Sequence, residues 1–353
     1  MEVRHPLLLA AYGAIYFIWG STYLGIRFAV ETLPPFLSGG ARFVFAGVFL
    51  LAWARFRGTE RPTPRGWVNA AKLGFIMILL GYGGVMWAER IVPSGIAALI
   101  LAVEPLWFFV LDWLVFKSAR PRMKEWAGLA LGFIGTFYLA IMGQGVSGFQ
   151  ATPGYRTGTL VILCCSLGWV FGSLVSRRTH VADSTFLGAG MEMTAGGVLL
   201  GIAGFLLGEG ADFIPTQASL RSCLALAYLA VFGSIIAFTA FVWLLKVEPA
   251  RRVATHGFVN PLVAVFLGWS LGGEPVTPQM LAAAGVIVVS VTLITLRNED
   301  DGAKPALGIE LQRALMNSEC GEKSGRARKV FHERPSQQDP PFRGASRNCC
   351  GPS

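Results

Sequence analysis

A single carboxylate falls near the middle of the apolar run 94–116 of this 353-residue chain. Glu104 is followed directly by Pro105. A carboxylate deep in a bilayer costs several kcal/mol unless it faces a partner or a cavity, and a proline there frees backbone carbonyls. Glu104 is therefore a candidate for binding a ligand or a proton, and Pro105 is predicted to kink its helix. The alternative is a buried glutamate that only supports the kink.

A second polar cluster, formed by His256, Asn260 and Pro261, falls in the apolar run 251–271. His256 and Asn260 are four residues apart, so they share one face of a helix. Asn260 is a candidate ligand contact, and Pro261 is predicted to kink this helix. An unperturbed imidazole titrates near neutral pH, so His256 is a candidate for carrying a coupling proton. The alternative is that it is a packed core residue, which is the commoner role of a lone histidine.

Three further charged residues lie inside apolar runs, and each is a candidate for coupling or gating. Arg42 and Glu192 occupy equivalent positions in the two halves of the chain, and Asp112 follows Glu104 by two helical turns. Each could instead extend its charge to the membrane surface or support a packing contact. These alternatives stay open at the level of the sequence.

Four aromatic residues fall within apolar runs near small residues, where they could line a cavity that stacks flat ligands. They are Trp19, Tyr82, Trp107 and Trp169. Lipid contact or core packing is an equally good explanation of this pattern. Which of these roles each ring has depends on the face of the helix that it occupies.

The composition indicates a protein that lies largely in lipid. The chain is 53% hydrophobic and 14% charged, and its mean hydropathy is +0.54, whereas a soluble domain carries about 25% charged residues. Runs of about 20 apolar residues can each cross the hydrocarbon core as a helix, and their continuity argues against a barrel. Ten such segments are predicted, numbered 1 to 10: 6–28, 36–56, 67–88, 94–116, 124–142, 158–177, 185–207, 220–245, 251–271 and 278–297.

The basic residues predict the orientation of these segments. The net charge of +9 is spread over short links, which argues against a nucleic-acid partner. Lys and Arg concentrate in alternate links, so the positive-inside rule predicts that both termini are cytoplasmic. The last part of the chain, 298–353, mixes both charges with Pro, Gly and Ser, and is predicted to be a disordered cytoplasmic tail.

An internal repeat predicts the architecture. A displacement of 156 residues superimposes Pro93 on Pro249, Pro105 on Pro261, and Trp113 on Trp269. The two units are 6–142 and 158–297, joined by an outer linker at 143–157. Because each unit has five segments, the second enters the membrane from the opposite side. The expected fold class is an all-α integral membrane protein whose ten transmembrane helices form two inverted five-helix repeats.

Several short motifs resemble those of the EamA-type drug/metabolite transporter superfamily, and most of all its YedA-like permeases. They are Trp19-Gly20-Ser21-Thr22, Ala41-Arg42-Phe43, Pro93-Ser94-Gly95, Glu104-Pro105, Asn260-Pro261-Leu262 and Gly272-Gly273-Glu274. The resemblance implies ten helices in the inner membrane and export of small metabolites through a central cavity. One departure is Phe116-Lys117-Ser118, which stands where many relatives have a Gly-Glu pair.

We therefore expect a secondary transporter that exports small metabolites or drugs, amino-acid-like or aromatic, by alternating access. Its expected partners are the small-molecule substrate, the lipid bilayer and protons as the candidate coupling ion. An uncoupled facilitator of the same fold is the first alternative. A membrane-embedded enzyme or a receptor is a further alternative, but the sequence contains no HExxH motif and no fused signalling domain. We expect no enzymatic activity, no metal site and no cofactor.

Overall fold

Every regular element in the described part of the chain is a helix. The computed structural model describes residues 5–115, 153–212 and 214–295, together with isolated positions between 117 and 134. These residues all belong to one unit, Met1–Leu296. The predicted linker falls mostly outside the described residues, although a helix already begins at Tyr155. The predicted tail 298–353 lies wholly outside them.

Seven helices are long and apolar enough to cross a membrane, and they correspond to predicted segments 1 to 4 and 6 to 8. Two further helices, His256–Ser270 and Pro278–Thr295, correspond to segments 9 and 10. Segment 5 lies mostly outside the described residues, but its positions 126–128 and 130–132 are helical. The all-helical membrane fold is confirmed. The seven spans are His5–Ala29, Pro35–Phe56, Pro64–Ala88, Ser94–Leu114, Tyr155–Ser176, Thr185–Leu206 and Leu220–Val247.

Three of the spans contain a π-helical stretch. Segment 1 is π-helical over Ala14–Ile18, segment 3 over Gly74–Gly83, and segment 8 over Leu229–Phe238. A π-helical stretch widens the turn and weakens the regular hydrogen-bond ladder, and it is frequent at functional sites. The two long stretches start 155 residues apart, since 229 − 74 = 155. They therefore fall at corresponding points of the two sequence units, which supports the repeat.

A positive φ angle occurs at corresponding positions of the two sequence units. Lys117 and Gly273 are 156 residues apart, and both adopt positive φ, at 55° and 65° respectively. Glycine reaches this left-handed conformation without strain, whereas a side chain such as that of lysine makes it costly. The positive φ is therefore kept at the corresponding position of both units although only the second has the glycine. The inverted relation of the two units stays a prediction.

Segments 2 and 7 pack closely because glycines remove the side chains between them. A Cβ atom on Gly40 would lie 2.9 Å from the carbonyl oxygen of Gly197, and one on Gly197 would lie 2.7 Å from the backbone nitrogen of Val44. Gly47 and Gly190 continue the same contact towards the other end of the two helices. Such small-residue faces let transmembrane helices approach each other at backbone distance.

The substitution Gly197→Ala is expected to lower the thermal stability of the purified protein in detergent. Its new methyl group would press on backbone atoms that cannot move independently, and overpacking of this kind costs about 1–3 kcal/mol. Gly201→Ala is the matched control, because a Cβ atom there meets nothing within 4 Å. We expect the control to melt at or above the wild-type temperature. Equal destabilisation by both substitutions would contradict the proposed packing.

Candidate functional site

Segments 1, 2, 3, 4, 6 and 9 enclose a cavity in the interior of the bundle. The space that these segments leave, counted together with the open solvent at its mouth, is about 530 Å³. Seven of the residues selected from the sequence line it: Trp19, Arg42, Tyr82, Glu104, Trp169, His256 and Asn260. The complete lining is Trp19, Thr22, Tyr23, Ile26, Arg42, Gly81, Tyr82, Val85, Leu101, Glu104, Trp169, His256 and Asn260.

The carboxylate of Glu104 and the imidazole of His256 face each other at the wall of this cavity. Glu104 Oε2 lies 3.6 Å from His256 Nε2, and both side chains are buried. His256 Nδ1 lies 3.0 Å from the carbonyl oxygen of Val253. Because a carbonyl only accepts, Nδ1 carries a hydrogen and Nε2 is the nitrogen left to exchange a proton with Glu104. The two side chains are therefore close enough for an ion pair but not for a direct hydrogen bond, and Nε2 is the imidazole nitrogen that faces Glu104.

Both partners of this pair stand at helix starts that follow a break. The helix of segment 4 stops at Leu101 and restarts at Glu104, with Pro105 in its first turn, where the missing N–H costs nothing. In segment 9 the short helix Ala250–Val253 is followed by a restart at His256. A Cβ atom on Gly257 would lie 2.8 Å from the ring of Pro105, so the two restarted helices meet at this point.

Pro261 lies inside the helix His256–Ser270, and the break in segment 9 precedes it by more than one turn. That Pro261 itself kinks the helix stays a prediction. The neighbouring Asn260 connects segment 9 to segment 1. With its amide nitrogen towards segment 1, Asn260 donates to the carbonyl oxygens of Ile15 at 3.0 Å and Tyr16 at 2.9 Å. These carbonyls belong to the π-helical stretch of segment 1.

An aromatic cluster forms one wall of the cavity. The Trp19 ring packs edge-on against Trp169 at 5.6 Å between ring centroids, and lies 4.9 Å from Phe241 and 5.4 Å from His256. Its indole nitrogen donates to the carbonyl oxygen of Gly233 at 3.1 Å, which fixes the ring. Trp107 is placed elsewhere: its indole donates to Ser166 Oγ at 3.0 Å, and it is not among the lining residues.

Arg42 extends its guanidinium into the cavity wall rather than to a membrane surface. Its side chain is only 3% exposed. Nε donates to Ser234 Oγ at 2.8 Å, and Nη1 donates to the hydroxyl of Tyr82. The guanidinium also lies 4.9 Å from the centroid of the Phe43 ring. Two neutral hydroxyls and aromatic rings therefore hold this cation.

Glu192 and Asp112 lie away from the cavity lining. Glu192 is buried and interacts electrostatically with Lys246, whose ammonium group donates to the carbonyl oxygen of Ala182 at 3.1 Å. Asp112 interacts electrostatically with Arg177. Neither residue is brought together with Glu104, so the coupling or gating roles of Glu192 and Asp112 stay predictions.

The sequence reading missed part of the lining contributed by segment 1. Thr22, Tyr23 and Ile26 line the cavity together with Trp19. They follow Trp19 by three, four and seven residues, which is the spacing of one helix face. This signal was available in the sequence. The hydroxyl of Ser234 that holds Arg42 had no comparable signal, because segment 8 is π-helical there.

A carboxylate outside the cavity joins the two sequence units. Glu274 Oε1 accepts hydrogen bonds from Ser94 N at 2.9 Å and Ser94 Oγ at 2.7 Å, and Oε2 accepts one from Gly95 N at 3.0 Å. Glu274 therefore caps the helix of segment 4 from the turn between segments 9 and 10. The positive φ of Gly273 directs the chain into this turn.

These features define a multi-span membrane protein with a partly charged cavity between helices of both sequence units. The chain belongs to the EamA-like transporter family, whose model matches residues 7–141 and 156–296. Each match covers one of the two units.

Three relatives illustrate the range of the similarity. The chain is 40% identical over 316 residues to the "Uncharacterized inner membrane transporter YedA" of Escherichia coli K12, with 89% of this chain and 99% of that protein covered. It is 25% identical to the "Probable amino-acid metabolite efflux pump" of Salmonella typhimurium, covering 78% of this chain and 90% of that protein. It is 27% identical to an "S-adenosylmethionine/S-adenosylhomocysteine transporter" of Chlamydia trachomatis serovar L2, covering 79% and 86%.

A protein of known crystal structure has the same fold. The TM-score is 0.61 at 23% sequence identity, and the match covers 83% of this chain and 99% of that one. This similarity supports the helical architecture and carries no information on the ligand.

The substitution Glu274→Ala is expected to lower the melting temperature in detergent, because it leaves two backbone N–H groups at a buried helix start without an acceptor. Glu31→Ala is the matched control. Glu31 pairs with Arg221 at 3.7 Å, with both side chains largely exposed, and such a surface pair contributes little. A loss of stability in the control as large as that in Glu274→Ala would contradict the capping role.

Proposed function

We propose that this protein is a secondary transporter that exports small metabolites or drugs, amino-acid-like or aromatic, across the inner membrane by alternating access. The observation that carries the proposal is the contact between Glu104 and His256, which come from different sequence units and meet at the wall of one cavity. The names of the family and of the relatives support transport over catalysis.

In this proposal the ten helices form two inverted five-helix repeats that rock against each other. Rocking would separate segment 4 from segment 9 and so separate Glu104 from His256. A proton shared by Glu104 and His256 would then stay on one of these two side chains, which would face water on one side of the membrane. The other titratable or charged groups that line the same cavity are Tyr23, Arg42 and Tyr82.

We propose that the cavity exchanges its ligand for protons through the Glu104–His256 pair. A ligand that needs the ionised carboxylate of Glu104 cannot bind while the pair holds its proton. Binding of ligand and binding of proton would therefore exclude each other, which is the requirement for driving export with an inward proton gradient. A facilitator of the same fold would lack this competition.

Proton coupling is tested by transport in proteoliposomes with labelled amino acids and aromatic metabolites, with and without a pH gradient. In Glu104→Gln both the acceleration by the gradient and the exchange of unlabelled for labelled ligand are expected to be lost, because the neutral amide resembles the protonated carboxylate, to which the ligand does not bind. Glu31→Gln is the control and is expected to respond as the wild type does.

Three outcomes would count against this proposal. Wild-type flux that ignores both the gradient and the substitution would identify an uncoupled facilitator. The absence of flux for every compound in the panel would contradict the transport function itself. Detectable turnover of a compound by the purified protein would favour the enzyme alternative.

We also propose that both termini are cytoplasmic. A phosphatase that is active only outside the cytoplasm is expected to be inactive when fused after residue 297 and active when fused after Gly148, in the predicted outer linker. A fluorescent protein that matures only in the cytoplasm should give the opposite pattern at the two sites. The same result from both junctions would contradict the predicted orientation.

A further inference from the structure

The cavity is lined by one buried guanidinium, that of Arg42. In the described part of the chain, no carboxylate lies within 4.0 Å of the guanidinium of Arg42. Its two hydrogen-bond partners, Ser234 and Tyr82, are neutral hydroxyls. A buried guanidinium without a counter-charge is costly, whereas a cavity can supply the missing anion as its ligand.

The contacts of Arg42 leave part of the guanidinium free to bind. Nε and Nη1 are used, but no hydrogen bond involves Nη2 among the described residues. A Cβ atom on Gly233 would lie 2.7 Å from Nη2, so the absence of a side chain at Gly233 provides the room for this nitrogen. The Ser234 and Tyr82 hydroxyls hold the planar group in one orientation, which reduces the entropy lost when a ligand binds.

We propose that Arg42 binds the carboxylate group of the ligand, so that the cavity selects small molecules that carry a carboxylate. The inference rests on the proposed transport function and specifies its substrate class. A planar guanidinium matches a carboxylate with two parallel hydrogen bonds. The aromatic wall of Trp19 and Trp169 would contact the apolar remainder of the molecule.

A carboxylate fits this site better than a phosphate does. Among the described residues that line the cavity, Arg42 is the one Lys or Arg. His256 contributes no additional free positive charge, because the proton it exchanges is shared with the carboxylate of Glu104. A single positive charge balances a carboxylate, whereas it leaves a phosphate dianion only half neutralised in a poorly solvated site.

The test measures thermal stabilisation of the purified full-length protein by four probes with the same phenyl group. Phenylalanine and 3-phenylpropionate carry the carboxylate, and phenylalanine amide and phenethylamine do not. We expect only the first two to stabilise the wild type. In Arg42→Met their apparent Kd should rise roughly ten- to a hundredfold, because a charged hydrogen-bonded contact is lost.

A second pair of variants keeps the test informative where Arg42→Met does not fold. Ser234→Ala removes the hydroxyl that orients Nε and is expected to weaken binding of both carboxylate probes. Ser270→Ala is the control, because Ser270 is exposed and bonds only to Phe266 of its own helix. Arg42→Lys keeps the charge without the planar fork and should bind more weakly than the wild type.

Three outcomes would overturn the inference. They are equal stabilisation by the carboxylate probes and by their amide or amine counterparts, equal stabilisation by sodium chloride at the same ionic strength, and stabilisation by none of the four. Because the readout is binding in detergent, each outcome is independent of flux. Failure of the transport function would be seen separately, as absence of flux in the proteoliposome experiment.

Discussion

Hydrogen-bonding groups inside an apolar phase must find partners within the protein, and this constraint shapes every irregular part of the bundle. The cavity lies where helices depart from regular geometry. Such departures leave backbone carbonyls without their regular hydrogen-bond donors. Side chains from other segments contact them. The Asn260 amide donates to Ile15 and Tyr16 in the π-helical part of segment 1, and the Trp19 indole donates to Gly233 in that of segment 8.

These contacts connect the two sequence units at the cavity itself. Segment 1 belongs to the first unit, while segments 8 and 9 belong to the second. A relative movement of the units would therefore have to change the same hydrogen bonds that satisfy the irregular backbone. Glu274 makes a comparable connection at a helix start of segment 4. The equivalent position in the first unit is Ser118, since 274 − 156 = 118, so the first unit has no carboxylate at this position.

Apolar runs and the family motifs were sufficient to predict the helices and to select Glu104, which lines the cavity, because both are local properties of the sequence. The rotation of individual helices was not predictable to the same degree. Trp107 and Trp169 have similar apolar neighbours, yet only Trp169 lines the cavity, since the restart of segment 4 directs Trp107 towards Ser166. The position of the Arg42 guanidinium was equally hard to predict, because at this depth the side chain can reach either the membrane surface or the interior of the bundle.

Under the proposed carboxylate subsite, the charge of the ligand determines how it is coupled to protons. With its shared proton, the Glu104–His256 pair is neutral, and Arg42 leaves the empty cavity with one positive charge. A monoanion would neutralise that charge without displacing the proton, and would therefore travel with it. A ligand that also carries an amine would need the ionised carboxylate of Glu104 and would compete with the proton. Export driven by an inward proton gradient thus requires both a carboxylate and an amine on the ligand, which an amino acid provides.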